Sequence, residues 1–131
     1  MISLDKSIIP GVLRLVPEVH TDVRGILVKN YQEEWFTELD IPTTWPERFY
    51  TRSHERVIRG LHLQEPPSDH DKLVYCANGA AFDVVVDLRI GSPTFGEFET
   101  VQLDGESLMA VFIPKGVAHG FASLSDGTVM V

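Results

Sequence analysis

Apolar and polar residues alternate along most of the chain in short stretches, each bounded by turn-forming residues. Between Ala81 and Arg89, Phe82, Val84, Val86 and Leu88 fall on one side of an extended strand, and Asp83, Val85, Asp87 and Arg89 on the other. Val12 to Val16, Ile26 to Asn30, Arg48 to Ser53, Val57 to Leu63 and Lys72 to Ala77 read as strands on similar grounds. So do Phe98 to Leu103, Met109 to Ile113, Gly120 to Leu124 and Thr128 to Val131. Turn signals separate them at Asp22-Val23-Arg24-Gly25, Glu65-Pro66-Pro67-Ser68-Asp69, Asn78-Gly79, Gly91-Ser92-Pro93, Asp104-Gly105 and Pro114-Lys115-Gly116. Asn78-Gly79 predicts a type I′ hairpin between its two flanking strands. Only Gln32 to Leu39 has helical spacing, with Trp35, Phe36 and Leu39 on one face and Pro42 limiting its length. Short strands at this spacing predict an all-β sandwich or barrel.

The length of 131 residues with 44% hydrophobic content fits one domain spanning residues 1–131. No apolar run approaches the ~20 residues needed to cross a bilayer, so no membrane partner is expected. The first residues lack the pattern of a secretory leader. Cys76 is the only cysteine, which excludes an internal disulfide and suits a reducing, cytoplasmic setting. A formal net charge of −8 repels a polyanion and argues against nucleic acid as a partner. A small anionic ligand remains compatible, because Arg48, Arg52, Arg56 and Arg59 are four of the seven arginines and lie within twelve residues. Such a run is either a solvated charged face or a clamp for phosphate or carboxylate. The closing strand Thr128-Val129-Met130-Val131 has no polar tail after it: either something else pairs with it, such as a second subunit, or the polypeptide is shorter than others of its kind. A homodimer is expected, because a barrel this short with an apolar closing strand leaves edges to cover.

The residues that carry chemistry are concentrated in five stretches. They are Val57-Ile58-Arg59-Gly60-Leu61-His62-Leu63-Gln64, Lys72-Leu73-Val74, Phe82-Asp83-Val84-Val85-Val86-Asp87-Leu88-Arg89, Ser92-Pro93-Thr94-Phe95-Gly96, and Ile113-Pro114-Lys115-Gly116-Val117-Ala118-His119-Gly120-Phe121. In this order, and with Asp22-Val23-Arg24-Gly25 ahead of them, they resemble the sugar-nucleotide epimerases of the dTDP-4-dehydrorhamnose 3,5-epimerase family. That resemblance implies a cupin-type jelly-roll barrel. It also implies a nucleotide-linked 4-keto sugar as substrate and a reaction that needs no metal or redox cofactor. Residue by residue it implies that His62 is the catalytic base and that Lys72 stabilises the enolate oxygen. Arg24 and Arg59 hold the nucleotide diphosphate, and His119 lines the same pocket. Gln64, two residues beyond the base, is read as a further substrate contact.

Chemistry supports these residue types. Inverting a carbon beside a ketone removes one proton and returns one from the other face. An imidazole, with a reference pKa of about 6.5, exchanges protons near neutrality. A fixed cation lowers the cost of the enolate. Lys72 stands between apolar neighbours, where an unpartnered ammonium is costly. Strict alternation sets Arg59 and His62 on opposite strand faces; either a bulge at Gly60 brings them together, or Arg59 serves a different surface or the partner subunit.

The chain also departs from the family pattern. His20 replaces a usual Phe, Lys29 a usual Glu and His70 a usual Gln, and Arg48 to Ser53 replaces a strand that normally carries Gln-x-Asn. In the family the tyrosine that acts as general acid and the aspartate that orients the base lie beyond the position of Val131. Tyr50 is therefore the expected acid, with Tyr31 and Tyr75 as alternatives, and Asp83 the expected partner of His62. Two other readings follow. One is a sugar-nucleotide-binding module without turnover. The other is a metal-dependent cupin in which His62, His70 and His119 converge, since Pro114 to His119 matches the second half of the metal-cupin signature.

Overall fold

The structure, a computed structural model, describes residues 2–131. Its strands are β1 (Ser3–Asp5), β2 (Leu13–Val16), β3 (Glu18–Asp22), β4 (Gly25–Lys29), β5 (Thr51–Ser53), β6 (Ile58–His62), β7 (Lys72–Asn78), β8 (Ala80–Asp87), β9 (Phe98–Asp104), β10 (Ala110–Ile113), β11 (Val117–Ser123) and β12 (Thr128–Met130). One helix, α1 (Glu33–Glu38), lies between β4 and β5. Six strands form one sheet in the order β1-β2-β10-β7-β12-β5, and four form another in the order β6-β11-β8-β9. The strand pairs are antiparallel. The two sheets enclose an apolar core of Val12, Cys76, Val85, Leu103, Val111 and Ile113 with their neighbours, and together they make the expected jelly roll.

A second core covers the far side of the six-stranded sheet. Phe36 of α1 is fully buried there against Leu15, Ala110 and Phe112, with Trp35, Leu39 and Tyr75 packed around it. The predicted apolar helix face is thus the face that docks, although the helix itself is shorter than the spacing suggests.

Several expectations are corrected. Asn78-Gly79 does not make a hairpin: β7 pairs with β10 and β12, and β8 with β9 and β11. Gly79 has a φ of 82° but Asn78 does not share the positive φ that a type I′ turn needs. The turn is a corner between sheets. A Cβ on Gly79 would meet Thr128 Oγ1 at 2.7 Å, so glycine lets the 125–128 segment pack close. Residues 48–50 are not strand, β11 begins at Val117 directly after the Pro114-Lys115-Gly116 turn, and β1 and β3 are strands that the alternation does not predict. The closing strand needs no second copy, because β12 pairs with β5 on one side and β7 on the other within the same chain. β3 and β4 stand apart as their own two-stranded sheet, an arm that exposes Val19, Val23, Ile26 and Leu27.

Candidate active site

The register between β6 and β11 decides where the motif side chains point. His119 lies opposite His62, but Phe121 lies opposite Arg59, so four residues of β6 face three of β11. That extra residue is a β-bulge, and it brings Arg59 and His62 onto one face despite their odd spacing. Two glycines make the bulge possible. Gly60 has a φ of 103°, and a Cβ there would sit 2.7 Å from the His119 carbonyl oxygen and 2.8 Å from Gly120 Cα. A Cβ on Gly120 would sit 2.7 Å from the Arg59 carbonyl oxygen. Side chains at either position would force the strands apart.

The shared face looks inward. His119 and Phe121 sit opposite Val85 and Asp83 on β8, and all four are buried. The alternation predicted for β8 holds, with the charged face as the buried one. On the other sheet, Val74 and Cys76 of β7 belong to the inter-sheet core, so Lys72, two residues before Val74, is directed into the same space. β6 ends at His62 in one sheet and β7 begins at Lys72 in the other. Both therefore lie at the end of the sandwich where residues 63–71 cross between sheets. Burial lowers the Lys72 ammonium pKa, and no carboxylate among the described residues pairs with it.

Asp83 is 1% exposed and bonds His119, not His62: its Oδ1 lies 2.6 Å from His119 Nε2. Cross-strand geometry explains the correction, because Asp83 and His119 project from neighbouring strands at adjacent inward positions. Burial pushes the Asp83 carboxyl pKa up, and the hydrogen bond and charge of His119 oppose that rise. The His62 ring itself is exposed and has no hydrogen-bond partner among the described residues.

Arg59 donates its Nε–H to Ser53 Oγ at 3.0 Å. Ser53 is buried on β5, the outer strand of the six-stranded sheet, and β6 is the outer strand of the other. This bond links the two sheets at the seam beside the candidate site. Ser53 was not singled out from the sequence, because a lone serine in a strand carries no signal until its neighbour across the seam is known. The other three arginines of the cluster do not join Arg59. Arg52 alternates away from Thr51 and Ser53, and Arg48 and Arg56 are exposed in the flanking segments.

The remaining candidates are placed elsewhere. Arg24 is at the tip of the β3–β4 arm, its side chain 87% exposed and ion-paired with Asp22 at 2.6 Å. The two-residue turn holds this pair together, so Arg24 does not reach the inward face of its own sandwich. Tyr50 is 71% exposed just before β5 and is not turned inward with Thr51 and Ser53. Tyr31 bonds the Thr43 carbonyl oxygen at 3.2 Å, and Tyr75 packs in the second core, on the other side of its strand from Lys72. Gln64 and His70 are exposed in the 63–71 crossing, where His70 Nδ1 lies 3.1 Å from the Ser68 carbonyl oxygen. His62, His70 and His119 therefore do not converge, and among the described residues no cluster of three His, Cys, Asp or Glu side chains could hold a metal ion.

The outward face of the four-stranded sheet is apolar. Ile58, Phe82 and Phe98 are 75%, 44% and 64% exposed. A cleft of about 310 Å³ runs between Ile58, Leu61, Phe82, Val84 and Ala122. No helix among the described residues is long and apolar enough to cross a membrane.

Comparison with known proteins gives the family. The family model for dTDP-4-dehydrorhamnose 3,5-epimerase matches residues 6–131. The dTDP-4-dehydrorhamnose 3,5-epimerase of Salmonella typhimurium is 42% identical over 96% of this chain and 69% of its own length. The dTDP-4-dehydrorhamnose 3-epimerase of Streptomyces niveus is 40% identical over 90% of this chain and 58% of its own. The chain thus spans from a little over half to about two thirds of the length of these curated relatives. A crystal structure of the Legionella pneumophila dTDP-6-deoxy-D-glucose-3,5-epimerase in complex with dTDP-4-keto-L-rhamnose superposes with a TM-score of 0.93. It shows 36% identity, covering 99% of this chain and 69% of that one. The fold, the motif series and these matches agree that the chain belongs to the dTDP-4-dehydrorhamnose 3,5-epimerase family.

Proposed function

We propose that this chain forms the catalytic barrel of an epimerase acting on a nucleotide-linked 4-keto-6-deoxy sugar, in deoxysugar or polysaccharide biosynthesis. The observation that carries the reading is the β6 bulge, which turns Arg59 and His62 to one inward face, with Lys72 entering the same space from the opposing sheet. His62 takes the proton from the carbon beside the ketone, at C3 or C5. Lys72 stabilises the enolate oxygen. Its ammonium is partly desolvated and has no counter-ion among the described residues, so the charge that develops on oxygen supplies one. The interaction strengthens as the proton leaves, which is the condition for lowering a barrier rather than merely holding substrate. Arg59 binds the diphosphate, whose remote binding energy positions the sugar. His119, fixed by Asp83, and Gln64 line the sugar side. These residues account for the deprotonation half of the reaction. The single buried thiol, Cys76, suits a cytoplasmic setting.

The working unit proposed is a homodimer. The exposed apolar face of the four-stranded sheet and the projecting β3–β4 arm are surfaces that a second copy would cover. In that arrangement the arm of one copy carries Arg24 toward the site of the other, where it joins Arg59 on the diphosphate.

Incubation in deuterated water with a dTDP-linked 4-keto-6-deoxy sugar tests the reaction. Wild-type protein is expected to wash deuterium into C3, C5 or both, and His62→Asn to stop it. Binding of the nucleotide sugar with no exchange in the wild type supports the non-catalytic alternative instead.

A further inference from the structure

We propose that Ser53 is a positioning residue that pre-aims Arg59 as an anion clamp while leaving its charge uncompensated. The inference rests on the reading of Arg59 as the diphosphate ligand and deepens it. Three other arginines are paired with carboxylates: Arg14 with Asp5 and Glu99, Arg24 with Asp22, and Arg89 with Asp87. Arg59 is held differently. Its Nε–H donates to a neutral hydroxyl, Ser53 Oγ, at 3.0 Å, and no other partner engages it among the described residues.

The geometry gives this contact a purpose. A guanidinium is planar, so a bond through Nε fixes the plane and leaves both terminal nitrogens projecting away from Ser53 as a two-donor fork. That fork matches two oxygens of a phosphate group. A carboxylate at the same position would fix the plane equally well but would cancel the charge. A solvated arginine would keep its charge but would have to lose side-chain freedom on binding. Serine avoids both costs. Ser53 is itself fixed, being 3% exposed on the inward face of β5 and opposite fully buried Thr128 of β12. The bulge at Gly60 completes the arrangement by bringing Arg59 to the seam where β5 lies.

Titration calorimetry with thymidine diphosphate, on wild type, Ser53→Ala, Ser53→Thr, Arg59→Ala and the Ser53→Ala/Arg59→Ala double variant, tests the proposal. Losing one hydrogen bond to a charged group is expected to weaken binding about tenfold in Ser53→Ala. Ser53→Thr keeps the hydroxyl and stays within about threefold of wild type. The decisive readout is the coupling: in the Arg59→Ala background, Ser53→Ala has no further effect on affinity. A purely structural serine would lower thermal stability without that dependence on Arg59. Wild-type affinity in Ser53→Ala, or an equal loss in both backgrounds, overturns the inference. If the wild type fails to bind thymidine diphosphate at all, the nucleotide-sugar reading falls and takes this inference with it. Should Ser53→Ala fail to fold, the Ser53→Thr and Ser53→Cys pair decides. Thr must bind like wild type and Cys, a poor acceptor, must not; equal binding by both overturns the proposal.

Discussion

Replacing Gly60 by alanine attacks the feature that puts His62 and Arg59 on one face. At a φ of 103° a non-glycine residue is strained, at a cost of about 1–3 kcal/mol. The added Cβ also lies 2.7 Å from the His119 carbonyl oxygen and 2.8 Å from Gly120 Cα, both backbone atoms. They yield only if β6 separates from β11, and overpacking of this kind costs about 1–3 kcal/mol more. A total near 4 kcal/mol is a large part of the about 5–15 kcal/mol that holds an ordinary domain folded. With an m value of about 1.5 kcal/mol/M, the urea midpoint falls by between about 2 and 3 M. Gly120→Ala has no φ term but meets the Arg59 carbonyl oxygen at 2.7 Å, so its loss is smaller, about 1–3 kcal/mol. Gly105→Ala, with nothing within 4 Å and no positive φ, is the control and shifts stability by less than about 0.5 kcal/mol. Urea unfolding of the three variants gives the ranking. If Gly60→Ala unfolds at the wild-type midpoint, the bulge is not sterically required and the account of how Arg59 and His62 come together is wrong.

Two further outcomes are expected. Fully buried Asp87 accepts hydrogen bonds from Arg89, Ser92 and Thr94, which hold its carboxyl far below the usual range, with Arg89 the largest cause. A depressed carboxyl contributes stability that is complete above its unfolded value, about pH 4, and is lost as pH falls toward the folded one. Asp87→Asn should therefore cost about 3 kcal/mol at neutral pH and flatten the fall of the urea midpoint below pH 4; an unchanged acid limb contradicts this. Light scattering at micromolar concentration should show a dimer that Phe82→Glu, on the outward apolar face, converts to monomer; a monomeric wild type refutes the proposed assembly.

Local chemistry made much of the architecture readable. The alternation in residues 81–89 located β8 and its two faces, and Gly60 between Arg59 and His62 signalled the bulge. What misled was pairing at long range. Asn78-Gly79 has the composition of a hairpin turn, yet the strands it joins find better partners in separate sheets. Asp83 looked like a partner for His62 because both stand in the motif stretches, but cross-strand register gave it to His119. Tyr50 fell outside the regular strand, so its side was not set by alternation. Ser53 was invisible because its partner is near in space only once two sheet edges meet.

In the proposed reaction Lys72 acts on the reacting oxygen and not on the nucleotide. Lys72→Met keeps an unbranched side chain one atom shorter and removes the charge, and one sample can be assayed for both thymidine diphosphate affinity and deuterium wash-in. The proposed role predicts affinity within about twofold of wild type, with exchange slowed at least about a hundredfold, as for the loss of one oxyanion-stabilising group. Exchange that persists at the wild-type rate, or affinity that falls in step with exchange, contradicts it.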